Sequence, residues 1–222
     1  DLDVSFENLK LSHPGGAYKS GNGSVGHMTN YFACVLRNTN AAENTVTYTN
    51  CTFPNGVCNN QYGKTVFDNC QFTNATGGLY NLWNYGGNTE VKDSTFTGVR
   101  GIKTYNEGTL AVAPTVKVEN TTFTGLSEKA AIVASKATDI TLTDVTATGC
   151  GKGLLQKDIE NSGETTAITA NGEKISGEFN ITAGKGTDAA KKEFNISAGT
   201  FTSAVDNGYL ADTVYDDWGN TV

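Results

Sequence analysis

A short pattern recurs along this chain: an alternating run, then Asn or Asp, then two residues, then Phe. It reads TVTYTNCTF (45–53), TVFDNCQF (65–72), TEVKDSTF (89–96) and TVKVENTTF (115–123). A degenerate copy, DITLTDVTA (139–147), sets Ala147 at the Phe position. Successive Phe positions are 19, 24, 27 and 24 residues apart. Periods of this size belong to stacked repeats, and in strand-forming sequence they point to a solenoid.

Aligned on the Asn or Asp, the copies share one facing. Val46/Tyr48, Thr65/Phe67, Thr89/Val91, Val116/Val118 and Ile140/Leu142 fall inward before the turn. After it, Cys51/Phe53, Cys70/Phe72, Ser94/Phe96, Thr121/Phe123 and Val145/Ala147 do the same. The positions between the first set are mostly polar, as a period of two demands. The turn residues Asn50, Asn69, Asp93, Asn120 and Asp144 are types that tolerate the left-handed region. This register sets Glu90 against Lys117 and Lys92 against Glu119 on the outer face, which favours it modestly.

Each Phe is followed by a Gly-rich stretch and a further strand: LYNLWNY (79–85), GIKTY (101–105), AAIVAS (130–135) and GLLQK (153–157). The expected fold is therefore all-β, a right-handed parallel β-helix with about three short strands per rung, since parallel crossovers take one hand. One domain is expected over 1–222, with regular rungs to 158 and looser rungs and a cap over 159–222. The first rung starts at VSFENLKL (4–11), and the Gly/Ser-rich stretch 12–28 is expected to loop out and cover the N-terminal end. Beyond a turn-rich insertion (160–167), GEKISGEFNIT (172–182) and KEFNISAGTF (192–201) read as two more rungs, with Phe179 and Phe201 equivalent. GKGTDAAKK (184–192) has room for a single helical turn, and the tail from 203 is expected to cap the column.

The net charge of −7 argues against nucleic acid and anionic membrane surfaces as partners. No apolar run approaches the length of a membrane span, so no membrane insertion is expected. Because Asp1 opens the chain, with no signal peptide, a mature or excised piece of a longer protein is expected. The five cysteines, Cys34, Cys51, Cys58, Cys70 and Cys150, include no CxxC pair, and His13 and His27 read as loop residues, so no zinc or other metal site is expected. Cys51 and Cys70 fall at the same place in adjacent copies. They read as stacked buried thiols, or alternatively as a disulfide between neighbouring rungs.

The short xIxNxxF units with glycine-rich corners resemble the right-handed parallel β-helix repeats of the pectate-lyase-like superfamily, over roughly residues 4–203. The stretch FNISAGTFTSAVDNGYLADTVYDDWGNTV (194–222) is similar to repeat units of large surface proteins of Gram-positive gut Firmicutes. Ile196, Ser197, Gly199, Thr200, Phe201, Tyr209, Ala211 and Asp212 match that pattern, whereas Ala198 departs from it and the final GNTV lacks the usual Tyr. The resemblance implies an extracellular location at the bacterial cell surface or wall more directly than it implies an activity.

Many proteins of that superfamily are enzymes on acidic polysaccharides, using clustered carboxylates for Ca²⁺ or for acid–base work. Arg100 and Lys103 resemble the basic pair with which the pectin hydrolases hold a uronate carboxylate. The accompanying Asn-Thr-Asp and His-Gly motifs are absent, and the side chains of Asp216 and Asp217, adjacent in the tail, are expected to diverge. No GxSxG, P-loop, GxGxxG before a helix or HExxH occurs, so no cofactor is expected. Tyr80, Trp83 and Tyr85, with Tyr105 one rung on, are aromatics that cannot all face inward. With Asn81, Asn84, Arg100 and Lys103 nearby they form the candidate glycan-binding surface; packing inside a wide part of the column is the alternative. Thr47/Thr49 and Thr141/Thr143 are Thr-x-Thr pairs of the kind with which solenoids bind ice. Val66/Asp68, Glu90/Lys92 and Lys117/Glu119 occupy the same positions between them, so no threonine array forms on that face. The expectation is a non-catalytic, monomeric module of a bacterial surface protein, serving as a stalk or as an adhesive, carbohydrate-binding surface. A lyase or glycoside hydrolase acting on an acidic glycan is the alternative.

Overall fold

The structure, a computed structural model, describes residues 3–12, 34–38, 45–75, 80–105, 115–135, 139–151, 154–158, 168–171, 176–177, 194–196 and 200–201. All regular structure among these residues is strand, and every pairing is parallel. No helix among them is long and apolar enough to cross a membrane. The expected roles of 13–28, 160–167, 184–192 and the tail fall outside the described residues.

The strands form three ladders in two sheets. The first ladder runs β1 (Val4–Glu7), β3 (Thr45–Thr49), the second half of β5 (Val57–Asp68), the second half of β7 (Leu82–Lys92), β10 (Thr115–Glu119), β13 (Asp139–Thr143), β16 (Ile168–Asn171) and β18 (Phe194–Ile196). The second is a separate sheet: β4 (Thr52–Phe53), β6 (Gln71–Phe72), β8 (Thr95–Phe96), β11 (Thr122–Thr124), β14 (Thr146–Thr148), β17 (Ser176–Gly177) and β19 (Thr200–Phe201). The third joins β2 (Cys34–Asn38), the first halves of β5 and β7, β9 (Ile102–Tyr105), β12 (Ile132–Ser135) and β15 (Leu155–Asp158). Parallel strands in repeated layers are compatible with the expected β-helix.

Three features differ from the sequence reading. In two layers the third strand does not stop. The chain runs on through β5 and β7 into the first strand of the next layer, with register irregularities between Asn59 and Lys64. Phe179 is not the partner of Phe201, because the register sets Gly177 there. The cause is the strand Ile168–Asn171, whose Ile168 and Ala170 align with Ile140 and Leu142 and so fix the phase earlier than expected. Asn8 also joins the corner column, with φ 57° against 44–55° for Asn50, Asn69, Asp93, Asn120 and Asp144.

The facing holds at all ten paired positions, each buried. Inside, two aromatic stacks run along the column: Phe6, Tyr48 and Phe67 at 5.0 and 5.3 Å, and Phe53, Phe72, Phe96 and Phe123 at 5.0, 4.2 and 4.6 Å. Edge-on contacts such as Tyr48–Phe53 and Phe67–Phe72 tie one stack to the other. Such pairs add about 0.5–1.5 kcal/mol each beyond their burial.

The corners explain the small polar residues that follow them. An αL corner turns the next side chain inward, and there it donates to the carbonyl two residues back. Ser94 Oγ reaches Lys92 O at 2.7 Å, Thr121 Oγ1 reaches Glu119 O at 2.8 Å, and the thiols Cys51 and Cys70 reach Thr49 O and Asp68 O at 3.3 and 3.4 Å. The hydroxyls also accept from the adjacent layer, Cys70 N to Ser94 Oγ at 3.0 Å and Ser94 N to Thr121 Oγ1 at 3.4 Å. Cys51 and Cys70 are thus buried free thiols rather than a disulfide. Burial pushes the Cys70 thiol up to about 11. Outside, the corner amides bond one another, Asn50 Nδ2 to Asn8 Oδ1 at 2.5 Å, Asn69 Nδ2 to Asn50 Oδ1 at 3.3 Å and Asn120 Nδ2 to Asp93 Oδ1 at 2.5 Å.

Candidate functional site

The candidate residues meet where the third ladder passes from β7 to β9. Asn81 organises the approach. It is fully buried, its Oδ1 accepts from Asn74 N at 2.8 Å, and its Nδ2 donates to Thr97 O at 2.8 Å and Arg100 O at 3.0 Å. Its backbone N–H also donates to Arg100 O at 3.0 Å. Tyr80 and Arg100, on neighbouring layers, are held together through this one side chain. Gly101 permits the close packing beside it, since a Cβ there would lie 2.1 Å from Ala131 O.

Alternation then sorts the strand. Leu82 and Asn84 point inward and are fully buried, which leaves Trp83 on the outer face, partly exposed. Asn84 accepts from Thr89 Oγ1 at 2.9 Å. The expectation that Asn81 and Asn84 line an outer sugar-binding surface is therefore corrected. Asn84 shares the inward face of Leu82, two residues before it, whereas Asn81 sits at the bend before β7 and is buried by its bonds to Asn74, Thr97 and Arg100.

On the outer side Trp83 pairs in register with Lys103 of β9. The Lys103 ammonium lies 5.4 Å from the Trp83 ring and 5.9 Å from the Tyr80 ring, and the Arg100 guanidinium lies 5.2 Å from the Tyr80 ring. Tyr80 meets Trp83 edge-on at 6.0 Å. Each cation–π contact is worth about 0.5–1 kcal/mol where water reaches it. Arg100 Nε also donates to Glu128 Oε2 at 2.6 Å, with both side chains partly exposed. The structure thus gathers Tyr80, Trp83, Arg100 and Lys103 into one cluster and adds Glu128, which sequence reasoning missed because it lies a layer away. Of Tyr85 and Tyr105 the structure describes only the backbone, on β7 and β9.

Chemically, the cluster presents one partly exposed indole beside the Lys103 ammonium, with the Arg100–Glu128 pair across the buried Tyr80 ring. Elsewhere on the outer face, two carboxylates are engaged with lysines: Asp68 with Lys92 at 2.9 Å, and Glu90 with Lys64 at 2.8 Å and Lys117 at 3.9 Å. The Asp68 carboxylate raises the pKa of Lys92 above the ordinary lysine value. Glu90 and Lys117 are Cα partners as the sequence register requires, whereas Lys92, paired with Glu119 in register, bridges back to Asp68. Among the described residues, no three His, Cys, Asp or Glu side chains are grouped so as to hold a metal ion.

Comparison with protein families, curated proteins and solved structures finds no match to this chain.

Proposed function

We propose that the chain is a right-handed parallel β-helix and serves as a non-catalytic, carbohydrate-binding module of an extracellular bacterial surface protein. The observation that carries this reading is the convergence of Trp83, Arg100 and Lys103 on one outer patch, over the buried ring of Tyr80 and held by the buried Asn81. A partly exposed indole beside one cation, with a second nearby, suits a sugar ring that bears hydroxyl or acidic groups. The pairing of Asp68, Glu90 and Glu128 with basic side chains supports a scaffold role for the outer face over acid–base catalysis. The surface location rests on the likeness of residues 194–222 to the Firmicutes repeat units.

A glycan array with the purified chain, repeated with Trp83→Ala and Lys103→Ala, tests the binding reading. Hits that both variants lose are expected. No hits together with no turnover would reduce the role to a stalk, and turnover of polygalacturonate or another acidic glycan would replace the module with an enzyme. Labelling of intact producing cells by an antibody against the chain tests the location.

A further inference from the structure

The outer face of the second sheet carries an array of a different kind. Inward Phe53, Phe72, Phe96, Phe123 and Ala147 leave the residues on either side of them outward. These form one column in register, Thr52, Gln71, Thr95, Thr122 and Thr146, and, two residues on, a second of Pro54, Thr73, Thr97, Thr124 and Thr148, in which Thr124 and Thr148 are register partners. Three successive layers are complete Thr-x-Thr units, 95/97, 122/124 and 146/148, and five of those six side chains, Thr95, Thr97, Thr122, Thr124 and Thr148, are exposed, with Thr146 half-buried. Ser176 and Thr200 continue the first column in register. None of these ten outward side chains is charged or aromatic, in contrast to the Glu90, Lys92, Lys117 and Glu119 of the first sheet. One margin is the Asn/Asp corner column, including Asp93 and Asp144. The other is the glycines Gly98, Gly125 and Gly149, which lack a side chain.

We propose that this threonine face binds the surface of ice. Threonine is stiff at χ1, so a parallel sheet in register holds its hydroxyls and methyls in a fixed two-dimensional array. The repeats are about 4.8 Å between layers and about 6.6 Å between alternate residues of one strand. The spacing between layers lies close to a lattice repeat of hexagonal ice. Methyl groups order the water between them and hydroxyls anchor it, at little entropic cost because the array is already rigid. The chemistry of the face disfavours other occupants. It has no ring on which a sugar could stack and no charge to select an ionic partner. Face-to-face pairing with a second copy would strip water from hydroxyls without replacing their hydrogen bonds.

The test uses the whole chain, fluorescently labelled, in a solution from which ice is slowly grown. The wild type is expected to enter the ice and to suppress recrystallisation. Thr124→Tyr, at the centre of the array, is expected to be excluded like an inert protein, while Thr141→Tyr, on the first sheet, behaves as wild type. Matching circular dichroism and thermal midpoints establish that both variants fold. Exclusion of the wild type overturns the proposal. So does retention of ice binding by Thr124→Tyr. Binding to crystalline cellulose or chitin without ice binding, or a dimer in light scattering that Thr124→Tyr abolishes, overturns it in favour of a glycan or a second copy. None of these outcomes bears on the Trp83 patch, which lies on the third ladder.

Discussion

Single residues at the corners carry much of the specification. Asn69 holds φ at 51°, a conformation that costs an ordinary L-residue about 1–2 kcal/mol. Asn69→Ala should therefore lower stability in urea unfolding by about that amount, with Asn69→Gly losing less. Cys70 makes a second case. A thiol whose pKa is raised on folding stabilises the protein fully below its unfolded value near 9, and that contribution is lost as pH rises toward about 11. A separation of about two pH units sets an upper limit of roughly 3 kcal/mol. Cys70→Ser keeps the hydrogen-bonding pattern already used by Ser94, so it should fold. Urea unfolding at pH 8 and pH 10.5 should show a smaller alkaline loss in the variant than in the wild type.

At the scale of elements, the stacked phenylalanines bind layer to layer. Phe96 lies 4.2 Å from Phe72 and 4.6 Å from Phe123, so Phe96→Ala should cost about 3–5 kcal/mol, measured by chemical denaturation. These elements were legible in the sequence because period-two alternation and left-handed corners leave local signatures. The corner at Asn8 was not aligned with the others, since Leu11 stands where they place Phe. The phase of β16 was missed because Ile168–Asn171 follows a turn-rich run and its partner position is Gly177. At the candidate site, the sequence supplied Tyr80, Trp83, Arg100 and Lys103 but placed Asn81 and Asn84 on the wrong side: Asn84 follows the inward phase of Leu82, and the bend before β7 turns Tyr80 and Asn81 into the interior. The threonine columns were readable as the outward complement of Cys51/Phe53 and its equivalents.

For the whole molecule, each layer touches mainly its two neighbours, so stability is a chain of nearest-neighbour terms. Hydrogen exchange should accordingly be slowest in β8 and β11, which have layers on both sides, and fastest in β1 at the edge. Equal protection throughout, lost in one global step, would contradict this picture. The corner amides add a sense of direction. Asn69 gives its hydrogen to Asn50 and Asn50 to Asn8, always toward the first layer. Asn120 gives to Asp93 in the same sense, but a carboxylate side chain has no amide hydrogen to pass on. The relay is therefore cut into two segments at Asp93, and a single oxygen-to-nitrogen exchange, Asp93→Asn, would join them into one unbroken file running from Asn120 to Asn8.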